Sequence, residues 1–147
     1  MSPISDLLVY LRPTTPFRDD QILEYAIQSI ASNPELTSLR SIELMSESAW
    51  KCFELEDSIL QPIIGSHYQA NLPNQLVKPT YKGNGYIDIV RPQYVLDHHD
   101  LWGPACYGYI TPQVIEIDTP EQLEYARWVI SQAPLTLDSQ GVEIKGR

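Results

Sequence analysis

Residues 6–18 read DLLVYLRPTTPFR, and this stretch decides the fold class. The continuous apolar run from Leu7 to Leu11 is typical of a strand buried on both faces of a parallel sheet. The loop Arg12–Arg18 is expected to be stiff, because each proline fixes its own φ and keeps the preceding residue out of the helical region. Ligands of open α/β sheets lie beyond the carboxyl ends of strands, so the sequence predicts that this loop borders a binding site.

Helices and strands alternate at both ends of the chain, which predicts an α/β fold. Helical spacing of apolar residues predicts a helix over 19–32, and a capping box formed by Thr119 and Gln122 begins the last helix. Strands are expected over 38–45, 86–90, 105–110 and 114–117, with a hairpin near 50–60 and a short helix after Pro92. Residues 50–102 are interpreted as an inserted, mostly extended arm, and residues 134–147 as a flexible tail.

Composition limits the classes of partner. The 147 residues carry a net charge of −9 and no cluster of Lys or Arg larger than a pair, so a nucleic-acid partner is not expected. No apolar run has the length of a membrane span, so no membrane partner is expected either. Cys52 and Cys106 occur without a signal peptide, which favours reduced thiols and a cytoplasmic location.

Glu116 and Asp118 are the candidate metal ligands. Side chains two residues apart on a strand point to the same face, so these carboxylates could share one hard cation such as Mg²⁺. Alternatively, Asp118 is a carboxylate favoured by the dipole of the following helix, and Glu116 is a solvated strand residue.

Two further segments could contact an anionic ligand. Arg12 and Arg18 flank the proline-rich loop at the start of a helix, where an anion is favoured, or they are surface arginines that pair with nearby aspartates. Lys51 lies in an alternating segment and either holds an anionic substrate or is simply solvated. Gly83-Asn84-Gly85 either allows a ligand to approach the backbone closely or makes a turn.

Together these segments resemble the acylneuraminate cytidylyltransferases, the CMP-sialic acid synthetases and their relatives. The stretch 8–18 resembles the L-Q-P-T-S-P-L-R loop of that family, and residues 84–88 (NGYID) are similar to its N-G-x-I-x segment. Residues 115–121 (IEIDTPE) look like its I-D-I-D-T-x-x-D signature, and Lys51 falls where the family places a lysine. The resemblance extends from about Leu7 to Ile130.

The resemblance implies a Rossmann-like, glycosyltransferase-A-like nucleotidyltransferase sheet and a defined reaction. CMP is transferred from CTP to a 3-deoxy-2-ulosonic, sialic-type sugar acid, and pyrophosphate leaves. Glu116 and Asp118 would hold Mg²⁺, and the acidic-sugar site would be lined by Arg12, Lys51 and Asn84, with Arg18 and Gly85 as further substrate-binding candidates. The arm at 50–102 would make the protein a homodimer.

The chain also departs from the family pattern. Arg12 replaces the glutamine of the family's loop, Glu116 replaces the first aspartate, and the arginine usually found shortly before the family's L-P dipeptide is missing. The family's N-terminal phosphate-binding segment has no counterpart in the sequence. Residues 1–147 are therefore expected to form a single partial domain, incomplete or inactive on its own. The alternatives are a non-catalytic relative that serves as a binding or assembly module, and a transferase for another sugar nucleotide.

Overall fold

A mixed four-stranded sheet lies at the centre of the fold. The computed structural model describes residues 5–132 and the backbone of two further short strands. In chain order the elements are β1 (Leu8–Tyr10), α1 (Asp20–Ala31), β2 (Ser38–Leu44), β3 (Phe53–Glu56), β4 (Ile59–Pro62), α2 (His67–Ala70), β5 (Tyr81–Val90), α3 (Pro92–His98), β6 (Cys106–Ile110), α4 (Pro120–Gln132), β7 (Leu135–Leu137) and β8 (Glu143–Lys145). Short 3₁₀ turns occupy Ala49–Lys51 and Asn74–Leu76.

The main sheet has the strand order β1-β5-β2-β6. Strand β5 pairs antiparallel with both β1 and β2, and β2 pairs parallel with β6. The strands β3 and β4 form a separate antiparallel hairpin, and β7 pairs with β8 in the same way. The predicted α/β class is thus confirmed, with antiparallel as well as parallel pairing in the sheet.

The core lies between helix α1 and the centre of the sheet. Ala26 and Ile30 of the helix are buried against Leu39 of β2 and against Ile87 and Ile89 of β5. Helix α1 begins where predicted because the Asp19 side chain accepts a hydrogen bond from the backbone N–H of Gln21, 2.8 Å away. Burial of this apolar stripe fixes which face of β2 and β5 remains available for polar side chains.

The expectation for the first strand was wrong in both its position and its pairing. Strand β1 lies at an edge of the sheet and pairs antiparallel with β5, and Leu8 and Tyr10 are 52% and 53% exposed. A continuous apolar run indicates that a segment forms a strand, but it does not indicate whether that strand has one neighbouring strand or two. Here the described part of the chain supplies one neighbour instead of two.

Two local expectations also differ from the structure. Gly83-Asn84-Gly85 is not a turn but part of β5, and the left-handed φ of +65° at Gly85 is accommodated within the strand. Residues 114–117 do not form a strand. The segment is held by individual hydrogen bonds, from the Val114 amide to the Glu43 carboxylate and from the Ile117 amide to the Thr14 carbonyl.

The predicted arm, residues 50–102, contains several kinds of structure. It includes the β3–β4 hairpin, which confirms the predicted hairpin, and also strand β5 of the main sheet. Its role in dimerisation stays a prediction. The predicted flexible tail lies largely outside the described residues, which include only the backbone of β7 and β8 there. None of the helices in the described residues has the length and apolar character needed to cross a membrane.

Candidate functional site

Three segments that the sequence singled out meet at one end of the sheet. The loop Arg12–Arg18 is bound to β5, because the Arg18 side chain donates to the carbonyl of Gly85. The same loop is bound to residues 111–119, because the Ile117 amide donates to the Thr14 carbonyl over 2.8 Å. The structure therefore brings the proline-rich loop, the glycine-containing strand and the carboxylate-bearing segment into one region.

Arg18 holds the proline-rich loop in place. Its guanidinium donates to the carbonyl of Tyr86 at 2.7 Å and to that of Arg12 at 2.6 Å. Burial lowers the pKa of Arg18, an effect that the nearby Tyr86 partly opposes. These contacts fix the path of the loop, which gives Arg18 a positioning role; direct binding of an anion by Arg18 stays a prediction.

Asn84 lies in a buried polar network on β5. Its amide nitrogen donates to the Thr111 hydroxyl at 2.7 Å and to the Glu43 carboxylate at 3.3 Å. Its amide oxygen accepts from the Tyr86 backbone N–H at 3.3 Å. Because both amide protons have acceptors, Asn84 joins β5 to β2 and to the start of the 111–119 segment. The predicted contact of Asn84 with a sugar acid stays a prediction.

Glu43, which the sequence patterns did not single out, is the acceptor at the centre of this network. This buried carboxylate accepts from Asn84, from the Val114 amide at 3.2 Å and from the Lys82 ammonium at 3.0 Å. Burial alone would raise the pKa of Glu43, but these three donors outweigh it and hold the pKa below its ordinary value. The sequence does contain a signal for this burial. Glu43 follows Leu39 and Ser41 at intervals of two residues, which places its carboxylate on the same, buried face of β2.

A second cluster contains two arginines and one aspartate. Asp88 of β5 is 4% exposed, and its Oδ2 lies 3.4 Å from Nη2 of Arg12. Its Oδ1 lies 4.0 Å from Nε of Arg40, a residue of β2. Burial raises the pKa of Asp88, and the two guanidinium charges partly oppose that rise. Neither Arg40 nor Asp88 was a candidate on sequence grounds, because their proximity depends on the pairing of β2 with β5.

Glu116 and Asp118 lie in the segment before α4. Asp118 and Thr119 donate their backbone amides to the Gln122 side chain, which confirms the predicted capping box. Glu116 lines a cavity of about 400 Å³ together with Gln122 and Tyr125. Since residues 114–117 are not a strand, the alternation argument that placed both carboxylates on one face does not apply.

The donor set at this point can still be compared with the needs of Mg²⁺. No group of three or more His, Cys, Asp or Glu side chains that could hold a metal ion occurs among the described residues. Mg²⁺ commonly binds one or two carboxylates and takes its other ligands from water and substrate phosphates. Glu116 and Asp118 are compatible with that mode and not with an all-protein cage, so the metal site stays a prediction.

Lys51 lies in the 3₁₀ turn that precedes the β3–β4 hairpin. Its ammonium is 3.7 Å from the carboxylate of Glu47, one turn earlier in the chain. The contacts that the structure gives Lys51 are thus local. A contact between Lys51 and a substrate stays a prediction.

Comparison with known proteins supports the fold. The structure is similar to that of CMP:2-keto-3-deoxy-manno-octonic acid synthetase complexed with CTP, with a TM-score of 0.58 and 16% sequence identity. The similarity covers 87% of this chain, which spans 63% of the length of the synthetase chain. Neither the protein-family models nor the curated proteins give a match to the sequence. The chain therefore has a cytidylyltransferase-like fold, and the narrower resemblance to acylneuraminate cytidylyltransferases remains a matter of its motifs.

Proposed function

We propose that this chain carries the sugar-acid side of a cytidylyltransferase site, in a protein that transfers CMP from CTP to a 3-deoxy-2-ulosonic sugar acid of the sialic type. The observation that carries the proposal is the meeting of three segments, the loop Arg12–Arg18, residues 83–85 of β5 and residues 111–119. These are the segments whose motifs resemble the acylneuraminate cytidylyltransferases. The likeness of the fold to a CTP-bound synthetase supports the same class of reaction.

In the proposed reaction the anomeric hydroxyl oxygen of the sugar acid attacks the α-phosphorus of CTP. The new P–O bond forms as the bond to the pyrophosphate oxygen breaks, and the hydroxyl proton passes to solvent. Such transfers depend mainly on positioning and on neutralisation of phosphate charge. Glu116 and Asp118 would hold Mg²⁺, which supplies that neutralisation when bound.

The residues of this chain contribute mainly by holding the ligand-binding segments rigid. Arg18 fixes the proline-rich loop on β5, and Glu43 fixes the Val114 end of the segment that carries the two carboxylates. A site that is preorganised in this way loses less conformational entropy when a ligand binds. Arg12 is half-buried and lies directly against Gly85, which is itself buried. A sugar acid would be bound on the exposed side of Arg12.

Equilibrium binding tests the proposal. The chain is titrated calorimetrically with 2-keto-3-deoxy-manno-octonic acid and, separately, with N-acetylneuraminic acid, with and without CTP and Mg²⁺. We expect saturable binding of at least one acid, and we expect Glu116→Gln and Asp118→Asn to remove the part of the affinity that depends on Mg²⁺. Glu124→Gln, an exposed change on α4, is the matched control. Absence of saturable binding of both acids contradicts the proposal.

Pyrophosphate release is recorded in the same samples. Release of pyrophosphate with formation of the CMP-sugar would demonstrate that residues 1–147 complete the reaction alone. Binding without release fits a chain that requires further structure to hold CTP, as expected from the sequence.

A second candidate is a binding or assembly module, and one observation favours it. One face of the β3–β4 hairpin exposes large apolar side chains, among them the cross-strand pair Leu55 at 71% and Leu60 at 50%. Exposed apolar surface of this kind often marks a contact between proteins. We infer that this hairpin makes the contact between two copies of the chain, and sedimentation equilibrium over a concentration series tests for the dimer.

A further inference from the structure

Arg40 of the central strand β2 is held in a defined position although its side chain is 40% exposed. Its guanidinium stacks over the ring of Trp102, with the carbon at the centre of the group 4.6 Å from the ring centroid. Its Nε faces Asp88 on the neighbouring strand at 4.0 Å. Stacking on an aromatic ring leaves the edge of a guanidinium free to donate hydrogen bonds.

Two glycines of β5 make room for the arginines on either side of Asp88. A Cβ atom added at Gly83 would lie 2.9 Å from Nε of Arg40, and one added at Gly85 would lie 2.6 Å from Cδ of Arg12. Both arginine side chains therefore lie directly against the backbone of the same strand. Glycine at these two positions is what permits that close approach.

The charges in this cluster do not balance. Arg12 and Arg40 contribute two positive charges and Asp88 one negative charge, which leaves one net positive charge in the cluster. Asp88 is almost fully buried, whereas the side chains of Arg12 and Arg40 are 36% and 40% exposed. The cluster thus presents cationic donors to solvent and keeps its anion beneath them.

The hydrogen-bonding capacity of the cluster is also incompletely used. A guanidinium carries five N–H donors in a planar fork that matches a carboxylate or a phosphate. Only Nη2 of Arg12 is within hydrogen-bond distance of Asp88, and Oδ1 of Asp88 makes no hydrogen bond within the described residues. Several donors on Arg12 and Arg40 therefore remain for a ligand.

We propose that Arg12 and Arg40 together bind the carboxylate group of a ligand, with Asp88 as the positioning residue between them. A single net positive charge matches a monoanion and is a poorer match for the multiple charges of pyrophosphate or a nucleoside triphosphate. That the carboxylate belongs to a sugar acid rests on the proposed function. The existence of a carboxylate site does not, because it follows from the arginine cluster alone.

Competition between two anions tests the site. The full chain is titrated with 2-keto-3-deoxy-manno-octonic acid and with pyrophosphate, each at two salt concentrations. We expect the sugar acid to bind, and we expect Arg12→Gln and Arg40→Gln each to weaken that binding about tenfold or more, since each removes charge-assisted hydrogen bonds. Arg127→Gln, which removes an exposed arginine on α4, should leave the affinity unchanged. Pyrophosphate binding should be insensitive to Arg40→Gln.

Two further variants keep the test valid if Arg40→Gln folds poorly. Arg40→Lys retains the charge but not the planar fork, and should bind the sugar acid with an affinity between those of the wild type and Arg40→Gln. Gly83→Ala retains Arg40 but displaces its guanidinium, and should weaken the same binding. Circular dichroism verifies that each variant is folded.

The proposal is overturned if the wild type shows no saturable binding of the sugar acid, or if Arg40→Gln and Gly83→Ala both bind it as the wild type does. It is equally overturned if pyrophosphate binds in an Arg40-dependent manner and the sugar acid does not. Arg40-dependent binding of the acid without any CMP transfer would support the carboxylate site and leave the proposed reaction without support. CMP transfer that is unaffected by Arg40→Gln would support the proposed reaction and leave the carboxylate site at Arg12 and Arg40 without support.

Discussion

Replacement of Glu43 by alanine should lower the free energy of unfolding substantially, because one side chain accepts several hydrogen bonds. The carboxylate accepts from Asn84, from the Val114 amide and from Lys82, at 3.3, 3.2 and 3.0 Å. A hydrogen bond to a charged acceptor contributes roughly 1.5–3 kcal/mol, and an exposed ion pair about 0–1 kcal/mol. Lys82 regains water when its partner is removed, because its side chain is largely exposed. The expected loss therefore comes mainly from the Asn84 and Val114 bonds and amounts to about 3–6 kcal/mol.

Urea denaturation measures this loss. Glu43→Ala should lower the free energy of unfolding without changing the slope of its dependence on urea, and Glu24→Ala on the exposed face of α1 should change it by less than about 0.5 kcal/mol. Glu43→Gln keeps an acceptor and should give an intermediate value.

The pH dependence has a definite sign. Because the pKa of Glu43 is lower in the folded state, its contribution is complete above the unfolded value of 4.5 and is lost as the pH falls through the folded value. The advantage of the wild type over Glu43→Gln should therefore shrink below pH 4.5. In the urea experiment, an equal loss of unfolding free energy for Glu43→Ala and Glu24→Ala would refute the assignment of Glu43 as the residue that holds the 111–119 segment.

Three other changes have defined outcomes. Gly85→Ala should cost about 1–3 kcal/mol, because the left-handed backbone and the nearby Arg12 side chain both oppose a Cβ; an unchanged melting temperature would contradict this. The raised pKa of Asp88 means that the protonated form stabilises the fold fully below the unfolded value of 3.8, an advantage lost as the pH rises through the folded value. Asp88→Asn should therefore gain in urea midpoint relative to the wild type between pH 3 and pH 7, and a constant difference would refute that reasoning. Leu55→Lys, in the exposed cross-strand pair with Leu60, should reduce self-association in sedimentation equilibrium, whereas Glu54→Lys on the opposite face should not.

Local signals in the sequence were sufficient for helices α1, α3 and α4 and for the β3–β4 hairpin, but not for the short helix α2. Asp19 and the Thr119–Gln122 box act through contacts within four residues, so their effect can be predicted without the rest of the fold. The position of β1 could not be predicted in that way. Whether Leu8 is buried depends on which strands lie beside it, and an apolar run contains no information on that point.

In the candidate site, too, some features could be predicted from local sequence and others depend on contacts between distant residues. The resemblance of three short motifs to one family implied that their residues belong to one site. In the structure these segments are neighbours, and their binding of a substrate stays a prediction. The roles of individual side chains depended on pairing between distant strands. Arg18 turned out to bind backbone carbonyls, and the placement of Asp88 between two arginines requires the antiparallel register of β2 with β5.

Amide chemical shifts report whether a sugar acid binds where the three segments meet. In a titration of the ¹⁵N-labelled chain with 2-keto-3-deoxy-manno-octonic acid, we expect saturable shifts at Thr14, Gly85 and Ile117, one residue from each of the three segments that meet at the end of the sheet. Residues of the β3–β4 hairpin should not respond. Shifts confined to the hairpin, or no saturable shift in any of the three segments, would contradict the assignment of this region as a sugar-acid site.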